Sequence, residues 1–344
     1  MEKSWFGESW LKPSDPANNL EGRMKLKLSL LVLALLFFWT AGWCQERARL
    51  RVSTLFIGAS LLPIWIAQDQ GHFKSAGVDI ELISMQSNLS TSAALLAGEV
   101  DVIFGTPQVP LTLLSSKNPP NFVSIAAWAS GSEHWLVVNP LIKSVKELEG
   151  KVLATSRPKS ADHGYQLVIL ERNGVDTRRV TFLSAGGQSG RVAAVESGRV
   201  MGSVVNRYYA LLLKRKGFQP IERLERPDYP FPPAIFVVGR DSLQTKRGAL
   251  KGFLTALIEG TKKQKNDKEL CLRLIGKHLR LDNPEVIQAA YEDAMTVSYP
   301  YFTERQFQVA LDLLNKSLGQ STELSYQRVV DHSLVQEIAH AGGL

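Results

Sequence analysis

Apolar positions in the first two thirds of the chain fall into two alternating kinds of run. Short strand-like runs at 49–56, 78–83 and 100–104 are separated by segments with the 3.6-residue period of amphipathic helices. Pro63 stands where the first turn of a helix accepts proline, and Gly77 and Gly98 close the first helical segments. The alternation returns between 151 and 217. It predicts an α/β fold with largely parallel sheets.

Beyond Asp241 the strand-like runs stop, and helical patterns with polar faces continue to the end of the chain. The predicted helices span 248–266, 268–279, 284–297, 303–318 and 330–339. This region is therefore expected to cover sheets built by the preceding residues.

One segment repeats after 100 residues. Ala93–Val102 aligns with Ala193–Gly202, and each copy reads as a helix closed by glycine and followed by a strand. The matching letters are common ones, so chance is the alternative explanation. A true repeat predicts two similar lobes. Because ligands of open α/β sheets bind beyond the carboxyl ends of strands, Thr106 and Asn206 are then expected to face each other across a shared cleft.

The beginning of the chain has the pattern of an export signal. Lys25 and Lys27 precede an apolar run from Leu28 to Trp39, which is shorter than a membrane span, and small residues follow. We interpret 24–44 as a signal peptide and 1–23 as a disordered lead or an over-extended start. Cys44 resembles a lipid-acceptor cysteine, but the bulky residue before it argues against lipidation. Periplasmic localisation is expected, with anchoring through an uncleaved signal or Cys44 as an alternative.

Composition narrows the class of protein. The 344 residues are 44% hydrophobic and carry a formal net charge of +7, which suits a globular chain with two cores that captures an anion. The basic residues are dispersed without an aromatic-basic stripe, so no nucleic-acid partner is expected. Of the two cysteines, Cys271 lies in a helical run and is expected to be buried. No disulfide or metal site is indicated.

Short polar side chains stand at predicted strand ends and helix starts, an arrangement that binds anions without a strong counter-charge. Each of these side chains also has an explanation other than ligand binding. Short polar residues commonly cap their own helix, and arginines commonly form surface ion pairs. Tyr229 lies in a proline-rich stretch and is a candidate for an apolar wall. The candidate ligand-binding residues are Ser60, Thr106, Gln108, Ser130, Arg157, Ser160, His163, Gln188, Asn206 and Tyr229.

Catalytic motifs are missing from the sequence. The glycine-rich run at 186–190 matches neither a phosphate-binding loop nor a dinucleotide fingerprint, and no nucleophile elbow is present. Asp162 and His163 are the one acidic-histidine neighbour pair expected near the cleft, and adjacency alone does not indicate a triad. We therefore expect a protein that is not an enzyme, with no catalytic residues and no cofactor.

The stretch from Pro63 to Glu81, with Gln-Asp-Gln-Gly-His-Phe at its centre, resembles the opening of the nitrate/sulfonate/taurine group of periplasmic substrate-binding proteins. Two further segments of that group are recognisable at Ala94–Val102 and Leu148–Lys151. The resemblance covers about 49–265. This sequence departs from the group at Met201-Gly202 and at Arg157-Pro158, and binding loops rather than scaffolds set specificity.

The resemblance implies a two-lobed periplasmic-binding-protein type II fold, each lobe a mainly parallel sheet flanked by helices. Lobe 1 would comprise 48–132 and 235–344, and lobe 2 would comprise 133–234. It implies a monomer that captures a sulfonate, nitrate, taurine or pyrimidine-like solute by hinge closure and delivers it to an ABC permease in the inner membrane. The alternatives are an enzyme of the same fold related to thiamine pyrimidine precursor synthesis, which would need a reactive His and Lys, and a sensory binding module.

Overall fold

A computed structural model describes residues 47–54, 58–85, 88–128, 134–227, 229–230, 232–295 and 300–344. The predicted signal peptide, the segment before it, Cys44 and the candidate ligand residue Ser130 lie outside these residues. So do the last two residues of the predicted first strand and the last two of the helix predicted to end at 297.

The strands form two five-stranded sheets within the described residues. The first sheet has the order β2-β1-β3-β10-β4 and the second has the order β7-β6-β8-β5-β9. Their bounds are β1 (Ala48–Thr54), β2 (Val78–Ser84), β3 (Val102–Gly105), β4 (Phe122–Ala127), β5 (His134–Val138), β6 (Val152–Thr155), β7 (Thr181–Ser184), β8 (Gly202–Asn206), β9 (Gln219–Arg223) and β10 (Ile235–Gly239).

The two sheets share one topology. In each, a central strand pairs in parallel with two neighbours, and the fourth strand runs antiparallel to both strands beside it. The sheets are therefore mixed: four strands of each sheet run in one direction, as expected for a mainly parallel sheet, and one strand runs against them. The opposed strands are β10 in the first sheet and β5 in the second, which are the strands that enter each sheet from the other one. The predicted α/β class is confirmed, whereas the lobe boundaries near 132 and 234 stay predictions.

Helices cover both sheets, and the predicted C-terminal series is present. The last helix begins at Ser333 rather than at residue 330, because Val330 is extended and forms a β-bridge with Ser124. The helices are α1 (Leu62–Asp69), α2 (His72–Ser75), α3 (Asn88–Leu96), α4 (Gln108–Leu114), α5 (Ala161–Arg172), α6 (Gln188–Glu196), α7 (Arg207–Arg215), α8 (Ser242–Thr245), α9 (Arg247–Asn266), α10 (Lys268–Leu279), α11 (Pro284–Met295), α12 (Glu304–Leu318), α13 (Tyr326–Val329) and α14 (Ser333–His340).

The sequence repeat is also a structural repeat. Gly98 and Gly198 both have φ of +70°, the left-handed conformation that glycine adopts without a steric cost after a helix. In both copies the second residue after the glycine, Val100 or Val200, donates its N–H to the carbonyl of the equivalent alanine at 3.3 Å. The strands that follow, β3 and β8, occupy the same position in the two sheets.

Helix α12 contributes to two separate hydrophobic cores. Phe307, Ala310 and Leu314, at positions i, i+3 and i+7, pack into a core of the first sheet. Val309 and Leu313, four residues apart, pack into the core of the second sheet. Burial of each large apolar side chain stabilises the fold by about 1.5–3 kcal/mol. The helix therefore links the two halves of the protein through buried contacts.

A glycine allows α12 to approach the second sheet's first helix closely. A Cβ atom on Gly164 of α5 would lie 2.9 Å from the Leu313 carbonyl oxygen and 3.1 Å from the Ser317 Cβ. The first distance is shorter than a real contact and involves backbone. Only glycine permits this packing without a shift of one helix.

We expect Gly164→Ala to lower the free energy of unfolding by about 1–3 kcal/mol, because the added methyl group overpacks the α5–α12 contact. Gly248→Ala is the matched control. Gly248 also lies in a helix, but a Cβ there meets nothing within 4 Å, so the control is expected to be neutral or stabilising by up to about 1 kcal/mol. Urea denaturation of both variants measures the difference. Equal stabilities would contradict the close packing.

His332 predicts a pH dependence of stability. Its Nε2 accepts the N–H of Phe302 at 3.1 Å, and burial lowers its pKa from 6.5 to about 4, despite the opposing charge of Asp331. Between these values the unfolded chain binds a proton that the folded protein does not. The free energy of unfolding therefore falls as the pH falls through this range, by up to about 3 kcal/mol from this residue.

We expect His332→Gln, which keeps a hydrogen-bond acceptor without the titration, to lose less stability between pH 7 and pH 4.5 than the wild type. The exposed His340→Gln serves as the control and should follow the wild-type curve. Denaturation midpoints measured across this range test the expectation. Parallel curves for all three proteins would show that His332 does not stay neutral in the folded state.

Candidate functional site

A small cavity lies where the first sheet's strand β3 ends, between elements of both sheets. The volume that the centre of a water molecule can occupy there is about 10 Å³, which is room for about one water. A larger solute therefore needs the walls to move apart. The cavity is lined by Thr106, Pro107, Gln108, Tyr165, Pro232, Ala310 and Leu313.

Gln108 supplies an unused hydrogen-bond donor in this cavity. Its side-chain Nε2 is buried, and no hydrogen-bond partner for it exists among the described residues. A buried donor without a partner costs about 1–3 kcal/mol, so a bound acceptor at this position would recover a substantial free energy. Thr106, two residues earlier, is half-buried at the same cavity.

Tyr165 of α5 brings a second polar group from the other side. Its ring is buried and stands edge-on to His134, with centroids 4.8 Å apart. Burial raises the pKa of the hydroxyl, and the charges of Asp162 and Glu225 raise it further. His134 is itself fixed, because its backbone N–H donates to the Glu225 carboxylate at 2.8 Å. Tyr165 therefore stays protonated at any physiological pH.

The loop after β6 is organised around one buried carboxylate. Asp162 accepts hydrogen bonds from the Thr155 hydroxyl and the Ser156 N–H, both at 2.8 Å, and from the hydroxyls of Ser156 and Ser160. Burial would raise its pKa, but the charge of Arg191 and these hydrogen bonds outweigh burial and hold the pKa below its usual range. Asp162 thus stays ionised and defines the shape of the loop.

Three predicted ligand residues lie in or beside this loop. The Ser160 hydroxyl lies 2.7 Å from the Arg157 carbonyl oxygen and 2.8 Å from Asp162 Oδ1, so its single proton is shared between these two acceptors. The Arg157 side chain is exposed. The Nδ1 of His163 accepts the N–H of Lys159 at 3.1 Å. The His163 ring stands edge-on to Phe182, and burial lowers its pKa. The Ser160 and His163 side chains support the loop, and contact of all three residues with a ligand stays a prediction.

The remaining predicted residues also have partners or positions in the scaffold. Asn206 caps α7 by accepting the Tyr209 N–H at 3.1 Å, and Gln188 accepts the Asn206 N–H at 2.9 Å. Tyr229 donates its hydroxyl to Asp312 of α12 at 2.9 Å. Ser60 lies in the 3₁₀ helix Ala59–Leu61. Of the ten candidates, the cavity brings together Thr106 and Gln108. Ligand contacts of all ten stay predictions.

Several residues of the cavity have no signal in the sequence. Tyr165 lies inside a helix, and Pro232, Ala310 and Leu313 reach the cavity from segments more than 60 residues away along the chain. Asp162, in the loop after β6, is not a cavity residue. Its one indication in the sequence was its position beside His163 near a predicted helix start. Chain topology, rather than local pattern, assembles this wall.

Two kinds of feature are absent from the described part of the chain. No group of three or more His, Cys, Asp or Glu side chains there is arranged to hold a metal ion. No helix there is both long and apolar enough to cross a membrane.

Solved structures that align with most of this chain show its fold. A putative periplasmic sulfonate-binding protein, SsuA, from Methylobacillus flagellatus KT aligns with a TM-score of 0.69 at 16% identity, over 86% of this chain and 96% of its own. The periplasmic nitrate-binding protein NrtA from Synechocystis PCC 6803 aligns with a TM-score of 0.62 at 14% identity, over 86% and 89%. This chain therefore has the two-lobed periplasmic-binding-protein fold that its sequence predicted.

A third structure widens the range of ligands seen on this fold. A cysteine-to-serine mutant of DSZB in complex with biphenyl-2-sulfinic acid aligns with a TM-score of 0.67 at 12% identity, over 86% of this chain and 99% of its own. At such identities the likeness concerns the fold alone.

The family follows from the sequence itself. The model of the NMT1/THI5-like family matches residues 59–269, so this chain belongs to that family. No curated protein sequence matches it closely enough to count as a relative. The predicted resemblance to the sulfonate- and nitrate-binding group is confirmed by the family and by the structural neighbours.

The structure assigns Asn206 a capping role that can be tested. We expect Asn206→Ala to lower the free energy of unfolding by about 1 kcal/mol, because the Tyr209 N–H loses its acceptor. Asn206→Asp, which keeps an oxygen acceptor, should retain most of the stability. Urea denaturation compares the three proteins. An alanine variant as stable as the wild type would show that this cap contributes nothing.

Proposed function

We propose that this chain is the extracytoplasmic solute-binding component of an ABC importer, in which two lobes close on a small oxyanion such as a sulfonate or nitrate. One observation carries the proposal: Gln108, which lines the cavity between the two halves of the protein, has a buried Nε2 donor with no partner among the described residues. Membership of the NMT1/THI5-like family and the sulfonate- and nitrate-binding structural neighbours support it.

The chemistry of the cavity suits an acceptor-only group on the solute. Gln108 offers an amide N–H, and Tyr165 carries a hydroxyl that stays protonated. The described lining includes no Lys or Arg. Sulfonate and nitrate oxygens accept hydrogen bonds and carry delocalised charge, so neutral donors can hold them without a permanent ion pair.

The rest of the lining suits a short organic portion of the solute. Pro107, Pro232, Ala310 and Leu313 present apolar surface beside the two donors. Apolar walls with a few directed polar groups are typical of small-molecule sites. An alkanesulfonate has this composition, with a polar head and a short apolar body.

The proposal also covers where the protein acts in the cell and which partner it serves. The predicted signal peptide at 24–44 supports export to the periplasm, where the protein would act as a monomer and deliver its solute to a permease of the inner membrane. Two of the structural neighbours described above are periplasmic proteins that bind solutes. Lobe opening would admit the solute, since the cavity as it stands has room for about one water.

We expect the chain without residues 1–44 to be stabilised in a thermal-shift screen by one class among nitrate, alkanesulfonates, taurine and pyrimidines. Gln108→Leu should weaken that binding by about 10- to 100-fold, because the bound acceptor loses its donor while the cavity keeps its size. Gln336→Leu, at an exposed glutamine of α14, is the matched control and should bind as the wild type does.

The controls separate binding from catalysis. Mass spectrometry of the released solute should recover it unchanged. A solute that is consumed would favour an enzyme of this fold. A stabilised protein whose Gln108→Leu variant binds equally well would contradict the site.

A further inference from the structure

The loop that joins β6 to α5 occupies the place where a second-lobe anion site is expected. β6 is the central strand of the parallel group in the second sheet, as β1 is in the first. Ligands of such sheets bind beyond the carboxyl ends of the strands, at the starts of the following helices. The loop is also rich in donors, with Thr155, Ser156 and Ser160 in sequence before α5.

All of these donors are directed at a side chain of the protein itself. One carboxylate oxygen of Asp162 accepts from the Thr155 hydroxyl and the Ser156 N–H, each at 2.8 Å. The other oxygen accepts from the hydroxyls of Ser156 and Ser160. Asp162 is only 9% exposed. The carboxylate therefore sits as a bound oxyanion would sit, with two donors on each oxygen.

A buried cation completes the arrangement. Arg191 of α6 is 5% exposed, and its Nη1 lies 3.6 Å from Asp162 Oδ2. Its other described contacts are long hydrogen bonds to the carbonyls of Gly186 and Val204, at 3.3 and 3.4 Å, and its Nε is buried with no partner in the described residues. The ion pair thus neutralises both charges, but the Nε of the guanidinium group is left without a hydrogen-bond partner among the described residues.

We infer that Asp162 is a specificity-determining residue, because its carboxylate occupies the oxyanion position of the second sheet's loop. Given the proposed function, this assigns the solute class: the solute carries a single anionic group, held near Gln108 and Tyr165. A second anionic group would find the loop donors and Arg191 already engaged by Asp162, and burial of an anion without donors or a counter-charge is unfavourable. Doubly charged solutes are excluded on this basis.

The first test replaces the internal anion with a free one. Asp162→Ala removes the carboxylate and leaves its donors and Arg191 in place, so the variant should have a lower melting temperature. Sodium formate should raise that temperature by several degrees relative to sodium chloride at equal ionic strength, because formate binds the folded variant. The wild type should show no such difference between the two salts.

A second variant covers the case in which Asp162→Ala does not fold. Asp162→Ala combined with Arg191→Met removes the unpaired buried cation, and replacement of a buried ion pair by apolar groups is often tolerated. The loop donors remain, so formate should still stabilise this protein, though by less than the single variant. The inference is overturned if formate stabilises neither variant, or stabilises the wild type to the same extent.

The second test addresses the solute class with two sulfonates. We expect wild-type protein to bind ethanesulfonate at least about 10-fold more tightly than ethane-1,2-disulfonate, and Asp162→Ala to reduce this ratio. Equal affinity of the wild type for both would contradict the assignment. If the wild type binds neither sulfonate while formate still stabilises the variants, the proposed function fails and the role of the Asp162 carboxylate as an internal anion stands.

Discussion

Helix α12 is the constraint on which both halves of this protein depend. Its Phe307, Ala310 and Leu314 belong to a core of the first sheet, and its Val309 and Leu313 belong to the core of the second. Gly164 lets the helix approach α5 within backbone contact distance. Because cores are close-packed, a shift of α12 relative to either sheet disrupts buried contacts. When the cleft opens, the two halves must therefore rotate about this helix, or the helix must move with one of them.

The same helix places one wall of the proposed site. Ala310 and Leu313 line the cavity beside Tyr165. Asp312 accepts a hydrogen bond from the hydroxyl of Tyr229, which lies in the segment that leads back to the first sheet. Lys316 also pairs with Glu171 of α5 at 2.5 Å. The proposed solute site and the packing of the two halves thus both depend on α12. Residues of α12 distant from the polar donors are expected to influence affinity for this reason.

Polar groups near the strand ends divide into those that serve the protein and those left for a solute. Asn206 caps its helix, Ser160 supports a carboxylate, and Tyr229 bonds to α12. Gln108 differs, since its buried Nε2 has no partner in the described residues. Buried polar groups are otherwise almost always satisfied. Other buried polar atoms in the described residues, such as Arg191 Nε, also lack a partner, but Gln108 is the one that lines the two-sided cavity. This combination is the physical basis for placing the site there.

The sequence predicted the fold more fully than the site, and the physical reason lies in the range of the interactions. Periodicity and glycine at positions 98 and 198 are local signals, and they predicted both the helix-strand alternation and the structural repeat. The antiparallel course of β5 and β10 depends on how the chain crosses between sheets, which no local pattern records. Thr106 and Gln108 follow a strand and were predicted, whereas Tyr165 and Leu313 reach the cavity through tertiary packing.

The most direct test of the proposed site is a crystal structure of residues 45–344 grown with ethanesulfonate. We expect density for the sulfonate between Gln108 and Tyr165, with a sulfonate oxygen within hydrogen-bond distance of the Gln108 Nε2, and an Asp162 loop unchanged from its hydrogen-bonded form. Sulfonate density in the Asp162 loop, or on a surface away from the cavity, would contradict it.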